Sequence, residues 1–280
     1  MEPMASLYGD LDRPPLHAES LRRSLVTSGS LWSDVEVLDV VASTNAYLVE
    51  RASDPQSTGR VVIAEQQTAG RGRLDRTWTA PARSGLTLSV LVRPPGVDLA
   101  RWPWIPLLTS LAVAAAVRRE AQVDARLKWP NDVMVEDRKL AGVLVELVEV
   151  AGRPPAAVIG IGLNVSLRRS ELPVDHATSL ALEHAATTDR ALLARAVLRN
   201  LDGVLGDWVR HDGDARQGLL AAYVEACATI GHEVLATLPG GETVEGTASA
   251  VDASGRLVVD TAHGRRVLGA GDLLHLRPQA

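Results

Sequence analysis

Of the 29 lysine and arginine residues in the chain, only Lys128 and Lys139 are lysines, and both fall in the stretch KWPNDVMVEDRKLAG. A chain that uses arginine for every generic cation keeps lysine where it needs a compact ammonium on a flexible stem, which a forked guanidinium cannot replace. A second set of cations lies upstream. In Gly70-Arg71-Gly72-Arg73 and Arg76, three arginines fall within six residues of a chain whose net charge is -5. Glycine lets backbone come close to a ligand, and arginine offers paired donors that match phosphate and carboxylate oxygens. A positive loop on an acidic chain fits an anionic ligand such as a nucleotide phosphate. Taken alone, GRGR reads equally well as a solvated surface turn. Two known phosphate cradles are excluded. No Gly-Lys-Ser/Thr follows, and Asp75 stands where a dinucleotide fingerprint needs its third glycine.

Polar groups of another kind sit at element ends. Ser43-Thr44-Asn45 opens a helix, where such residues either cap the first turn or, with the exposed N–H groups, hold a polar ligand head. Asn164 ends the run AAVIGIGLNV, whose glycines at 160 and 162 mark close approach of a ligand or another backbone.

The elements that must position these residues follow from hydrophobic spacing. Strands are expected at 35–41, 61–64, 85–92, 125–129, 133–135, 139–150 and 156–165, with the 133–150 stretch a hairpin around Glu136-Asp137-Arg138. Helices are expected from Ala42 to about Ala52, over 105–121 and 215–228, and over 189–210, where Leu192, Leu193, Val197, Leu201, Val204, Leu205 and Trp208 share a face. Before Val35 there is one short helical pattern, Ser20 to Ser28, behind Pro14-Pro15. That is too little for a helix-turn-helix domain. From Gly231 short alternating runs separated by Pro-Gly-Gly, Ser-Gly and His-Gly turns read as four or five strands of a small barrel. The fold class is α+β (mixed α/β), a mixed sheet flanked by helices.

Composition narrows the function classes. Residues number 280, with 46% hydrophobic and 22% charged, an ordinary globular balance. The acidic net charge argues against non-specific nucleic-acid binding, and residues 231–280 hold six acids against four arginines. Apolar stretches such as Leu107 to Val117 are too short to span a bilayer, and the N-terminus shows no signal-peptide pattern. The lone Cys227 cannot form an internal disulfide and reads as a small core side chain in a reducing compartment. The seven histidines lack paired metal spacing.

In order and spacing, Ser43-Thr44-Asn45, AEQQTAGRGR (64–73), KWPND (128–132), RKLAG (138–142) and GIGLN (160–164), followed by a small β-barrel, resemble the biotin protein ligases over about residues 37–280. The resemblance implies a class II synthetase-like catalytic domain over 35–229, an SH3-like domain over 230–280 and an N-terminal extension over 1–34 without the DNA-binding domain of the repressor-type members. It implies a cytoplasmic enzyme, a monomer or weak homodimer, that takes ATP and biotin as substrates with Mg²⁺. The biotin carboxylate attacks the α-phosphate to give biotinyl-5′-AMP, and a lysine of a biotin carboxyl carrier domain then takes the acyl group.

The resemblance also implies roles. Lys139, Lys128 and Arg73 act on the reacting carboxylate and phosphate. Ser43, Thr44, Asn45 and Gln67 hold the ureido ring, with the backbone of Arg71, Gly72 and Arg73 closing over biotin. Arg71, Arg73, Arg76, Lys128 and Asn131 face the nucleotide, with Trp78 shielding adenine and Asn164 at its edge. Asp132 holds Mg²⁺ or orients Lys128, unless it only shapes the turn after Pro130. Trp78 as a core tryptophan, Asn164 as a strand-end turn and Trp129 as packing are the plainer readings of those residues. A lipoate or octanoate transferase of the same fold and a non-enzymatic biotin-responsive regulator are the alternatives in function.

Overall fold

The computed structural model describes residues 12–73, 76–238, 240–269 and 272–275. Asp75, the outer part of the N-terminal extension (1–11) and the end of the expected barrel (276–280) lie outside the described residues.

The larger unit is a seven-stranded sheet. Its strands are β1 (Asp34–Val41), β2 (Arg60–Gln67), β3 (Gly85–Val92), β4 (Arg126–Lys128), β5 (Asp132–Val135), β6 (Arg138–Val148) and β7 (Ala156–Asn164), in the order β1-β2-β3-β7-β6-β5-β4. β1 and β2 are parallel, and every other neighbouring pair is antiparallel. Every expected strand forms, and β5–β6 is the expected hairpin.

Alternation assigns the two faces. Leu86, Leu88, Val90 and Val92 of β3 and Ala157, Ile159, Ile161 and Leu163 of β7 point into one large core. Over that face lies helix α3 (Trp104–Ala116), buried almost all round, with the amphipathic α4 (Arg190–Arg210) packed outside it. Asp189 caps α4 by accepting from Ala191 N and Leu192 N. Helix α5 (Leu219–Ala226) joins this layer near β4. The expected 105–121 helix ends as α at Ala116 and continues as a π-turn over Val117–Ala121.

The opposite face carries a smaller apolar cluster of Leu48, Ala52, Val62, Leu91, Ala156 and Val158. Helix α2 (Thr44–Val49) covers it. This helix is shorter than expected because its last turn tightens to i→i−3 bonds, Arg51 N to Leu48 O and Ala52 N to Val49 O, ahead of a 3₁₀ turn over Pro55–Ser57.

Residues before β1 do not stand apart from this body. Helix α1 (Ala18–Leu25) buries Leu21 and Leu25 in the large core, together with Leu16 and Trp32. The C-terminal unit is a five-stranded antiparallel sheet of the SH3-like kind: β8 (Glu233–Thr237), β9 (Thr243–Val251), β10 (Leu257–Thr261), β11 (Gly264–Leu268) and β12 (Asp272–His275), in the order β11-β10-β9-β8-β12. Its β9–β10 turn seats against the larger unit. The buried Trp104 and Trp129 donate from Nε1 to Ala253 O (2.8 Å) and Gly255 O (3.0 Å). Trp129 is therefore a packing residue that ties the lysine-bearing turn to the second unit.

Candidate active site

The site grows on the sheet face opposite the large core, where glycines clear the floor. Gly142 pairs with Gly162, and Gly160 pairs with Ser89 and Leu144. A Cβ on Gly160 would stand 2.2 Å from Asn45 Oδ1, and one on Gly162 would stand 2.3 Å from Cε2 of Trp78. The glycines of GIGLN thus make room for two site side chains rather than for another backbone. Beside Gly142 lie both the Trp78 ring and the Lys139 ammonium.

At one end of this floor lies a buried polar cluster. Thr44 and Asn45 are 3% and 4% exposed. Gln67 Oε1 accepts from Thr44 N (2.8 Å) and Thr44 Oγ1 (3.0 Å). Ser89 Oγ lies 2.7 Å from Thr44 Oγ1 and 2.5 Å from Asn45 Oδ1. Ser43 caps α2, its hydroxyl accepting from Ala46 N at 3.4 Å. These hydroxyls and amides offer donors and acceptors side by side, as a cyclic urea requires. Asn45 Nδ2 donates to Glu146 Oε2 at 2.7 Å, and Arg71 Nη2 donates to the same oxygen at 2.9 Å. Glu146 therefore joins the polar cluster to the arginine loop.

That loop folds back on itself. Trp78 N donates to Gly70 O (2.9 Å), Gly72 N to Arg76 O (2.6 Å), and Arg71 pairs with Thr77. Gly70 is needed because a Cβ there would meet Trp78 O at 2.2 Å. Arg73 Nη1 donates to Asn131 Oδ1 (2.9 Å), and Asn131 is itself fixed to β6 through Val143 O (2.7 Å) and Val143 N (2.9 Å). Arg76 is exposed on the loop.

Asp132 is engaged by Lys139, whose Nζ lies 2.7 Å from Oδ1. Lys128 stands opposite Asp132 in the β4–β5 ladder. The Lys139 ammonium is also 5.9 Å from the centre of the Trp78 ring, within cation–π range. The backbone of Lys139 is clamped by His176 O and Thr178 N (2.7 and 2.9 Å). Asn164, 3% exposed, donates from Nδ2 to Thr178 O at 2.9 Å. This bond brings the 176–178 segment against both the lysine strand and β7.

Two site residues escaped sequence reasoning. Ser89 carried a faint signal, a hydroxyl on the Thr87 side of an otherwise apolar strand. Glu146 carried none. Cys227 is buried, and burial pushes its thiol above the usual value, which keeps it a neutral core side chain. Among the described residues no group of three or more His, Cys, Asp or Glu could cage a metal.

Residues 37–164 match the Biotin/lipoate A/B protein ligase family, and residues 229–276 match the Biotin protein ligase C terminal domain. The chain is 42% identical to a biotin--[acetyl-CoA-carboxylase] ligase of Mycobacterium tuberculosis, over 95% of this chain and 97% of that one. Among solved structures, the biotin protein ligase of Aquifex aeolicus in complex with biotin and ATP is 27% identical, with TM-score 0.70 over 88% of this chain and 100% of that one. The Leishmania major biotin protein ligase in complex with biotinyl-5-AMP is 25% identical, with TM-score 0.59 over 84% and 98%. With the mixed sheet, the SH3-like unit and the clustered motifs in place, the chain belongs to the biotin protein ligase family.

Proposed function

We propose that the chain activates biotin as biotinyl-5′-AMP and transfers it to a lysine of a biotin carboxyl carrier domain, such as that of acetyl-CoA carboxylase. The observation that carries this reading is the glycine-floored face, which sets a donor–acceptor cluster (buried Thr44, Asn45 and Ser89 with half-buried Gln67) beside the cations Arg71, Arg73 and Lys139.

In the first step a biotin carboxylate oxygen bonds to the α-phosphorus and pyrophosphate leaves. In the second, the carrier amine bonds to the acyl carbon, AMP leaves and the amine gives up a proton. Both substrates of the first step are anions, so electrostatics dominate. Lys139 offsets charge on the shared oxygens, with Asp132 setting its direction. Arg73, held by Asn131, faces the phosphates, and Lys128 supports the same region from β4. Trp78 and Asn164 border the adenine. No protein nucleophile is required, because positioning two bound reactants supplies much of the rate.

Mg²⁺ would partner the ATP phosphates, and Asp132, which also faces the Lys139 ammonium, is the carboxylate that would hold it. Such an ion keeps most of its waters and needs no protein cage. It would supply further neutralisation of phosphate charge. The proposed setting is cytoplasmic, as a monomer or weak homodimer acting without nucleic acid. No helix of the described residues is long and apolar enough to cross a membrane.

Biotin-dependent ATP–pyrophosphate exchange, with lipoate and octanoate in parallel, tests this. Exchange with biotin alone, followed by labelling of a carrier-domain lysine, is expected. Exchange with lipoate, or with no acid, would overturn it.

A further inference from the structure

The segment that carried no motif, just before α1, reaches across the molecule. Arg13 Nη2 donates to Glu171 Oε2 (2.6 Å) and to Ser166 O (2.8 Å), and Nη1 donates to Glu171 Oε1 (3.3 Å). This is a two-pronged clasp on the 166–171 segment that leaves β7 two residues after Asn164. The Arg13 side chain is only 15% exposed. Glu171 has a second task, accepting from Arg168 N at 2.8 Å, so it closes the 3₁₀ turn Arg169–Glu171 from inside. Ser166 N is held from the other side by Ser84 O at 2.7 Å.

What keeps Arg13 in place is a buried ion pair. Arg190, the first residue of α4, donates from Nη1 to Glu65 Oε2 at 2.5 Å, both side chains being about 5% exposed or less. The N-terminal segment gives each partner a further hydrogen bond. Leu16 N donates to Glu65 Oε1 (2.6 Å), and Arg190 Nη2 donates to Pro14 O (2.6 Å). A buried pair is tolerable only when its remaining donors and acceptors are satisfied, so residues 14–16 are fastened wherever the pair is formed.

We propose that Arg13 is a positioning residue for the nucleotide side of the site. Anchored by the Glu65–Arg190 pair, it holds the 165–171 segment, and through it the end of β7 at Asn164, in a shape that receives the adenylate. The proposal rests on the reading of the site given above. It involves no contact between Arg13 and substrate.

Arg13→Ala, Arg13→Lys and Glu171→Gln in the full chain test it by two readouts. The first is exchange kinetics with ATP and biotin varied separately. Loss of a charge-assisted clasp is expected to raise the KM for ATP about tenfold in R13A and E171Q, with the KM for biotin within about twofold and partial recovery in R13K. The second is tryptic cleavage after the exposed Arg168 and Arg169, which should quicken in R13A and E171Q without ligands present. Unchanged cleavage together with unchanged KM for ATP would overturn the proposal, as would equal rises in both KM values. An absence of exchange in the unaltered chain would sink the functional reading instead, and the cleavage readout would still decide whether Arg13 holds the segment.

Discussion

Lys139 and Asp132 form an ion pair at 2.7 Å across the β5–β6 hairpin, with side chains 27% and 23% exposed. Half-buried, the pair fixes the direction of one of only two lysines in the chain. The ammonium lies 5.9 Å from the centre of the Trp78 ring and beside the Cβ-free Gly142. A planar, forked guanidinium does not reproduce a compact ammonium at such a site. Lys139→Arg is therefore expected to lower kcat/KM for exchange about 100-fold, the loss typical of one misplaced electrostatic donor. Lys128→Arg should also lose more than charge conservation suggests. Asp132→Asn, which keeps the shape but releases the ammonium, should lose about tenfold. Near-normal exchange in K139R would mean that any cation suffices there.

Glu146 binds Asn45 and Arg71 through one oxygen. Its removal should therefore disturb the ureido end and the loop together. Glu146→Gln is expected to raise the KM for biotin about tenfold and the KM for ATP by a smaller factor, since charge-assisted bonds are roughly twice as strong as neutral ones. Separate titration of the two substrates checks this. An effect confined to ATP would show that Arg71 alone is what Glu146 controls.

The glycine floor makes a steric prediction. In Gly162→Ala the new methyl would lie 2.3 to 2.7 Å from three atoms of the Trp78 indole, and in Gly160→Ala it would lie 2.2 Å from Asn45 Oδ1. Overpacking of this kind costs about 1–3 kcal/mol. The side chains should yield before the strands do. G160A should weaken biotin binding by calorimetry and G162A should weaken ATP binding, with small losses in melting temperature. Intact binding in both variants would show that the floor has slack.

The strands were legible because their alternation is strong. Leu86, Leu88 and Val90 point one way, and Thr87 and Ser89 the other, within a single octapeptide. The lysines and the Gly/Arg loop were legible because rarity and clustering are properties of a linear string. Glu146 was not, because its partner Asn45 lies 101 residues away and an acid in a half-buried strand reads as an outward side chain. Arg13 was hidden for the same reason, being 158 residues from Glu171. The bond from Asn164 to Thr178 O was hidden as well, because the 176–178 segment reaches it only through the fold. Local patterns specify elements, whereas the partners of polar side chains depend on which segments the fold brings together.

Acid provides a last test, one that isolates the Arg13 clasp. Burial alone would lift the Glu171 carboxyl, but hydrogen bonds from Arg13 and Arg168 N, and the charges of both guanidiniums, outweigh it and hold the group below its ordinary value of 4.5. Asp12, which pairs with Arg168 at 3.5 Å, is the other acid facing this cluster. A carboxyl whose value is depressed on folding adds stability that is complete above the unfolded value and disappears as pH falls through the folded one. The clasp should therefore hold at neutral pH and fail progressively below about pH 4.5. Melting temperatures at neutral and acid pH, compared between the unaltered chain, Glu171→Gln and Arg13→Ala, read this out. Both variants should lose less stability on acidification than the unaltered chain, because each has already given up the charge pair that protonation breaks. Parallel acid profiles in all three would mean that the clasp contributes nothing to folding, and would leave the 166–171 segment held by contacts such as those to Ser84 and Ser179.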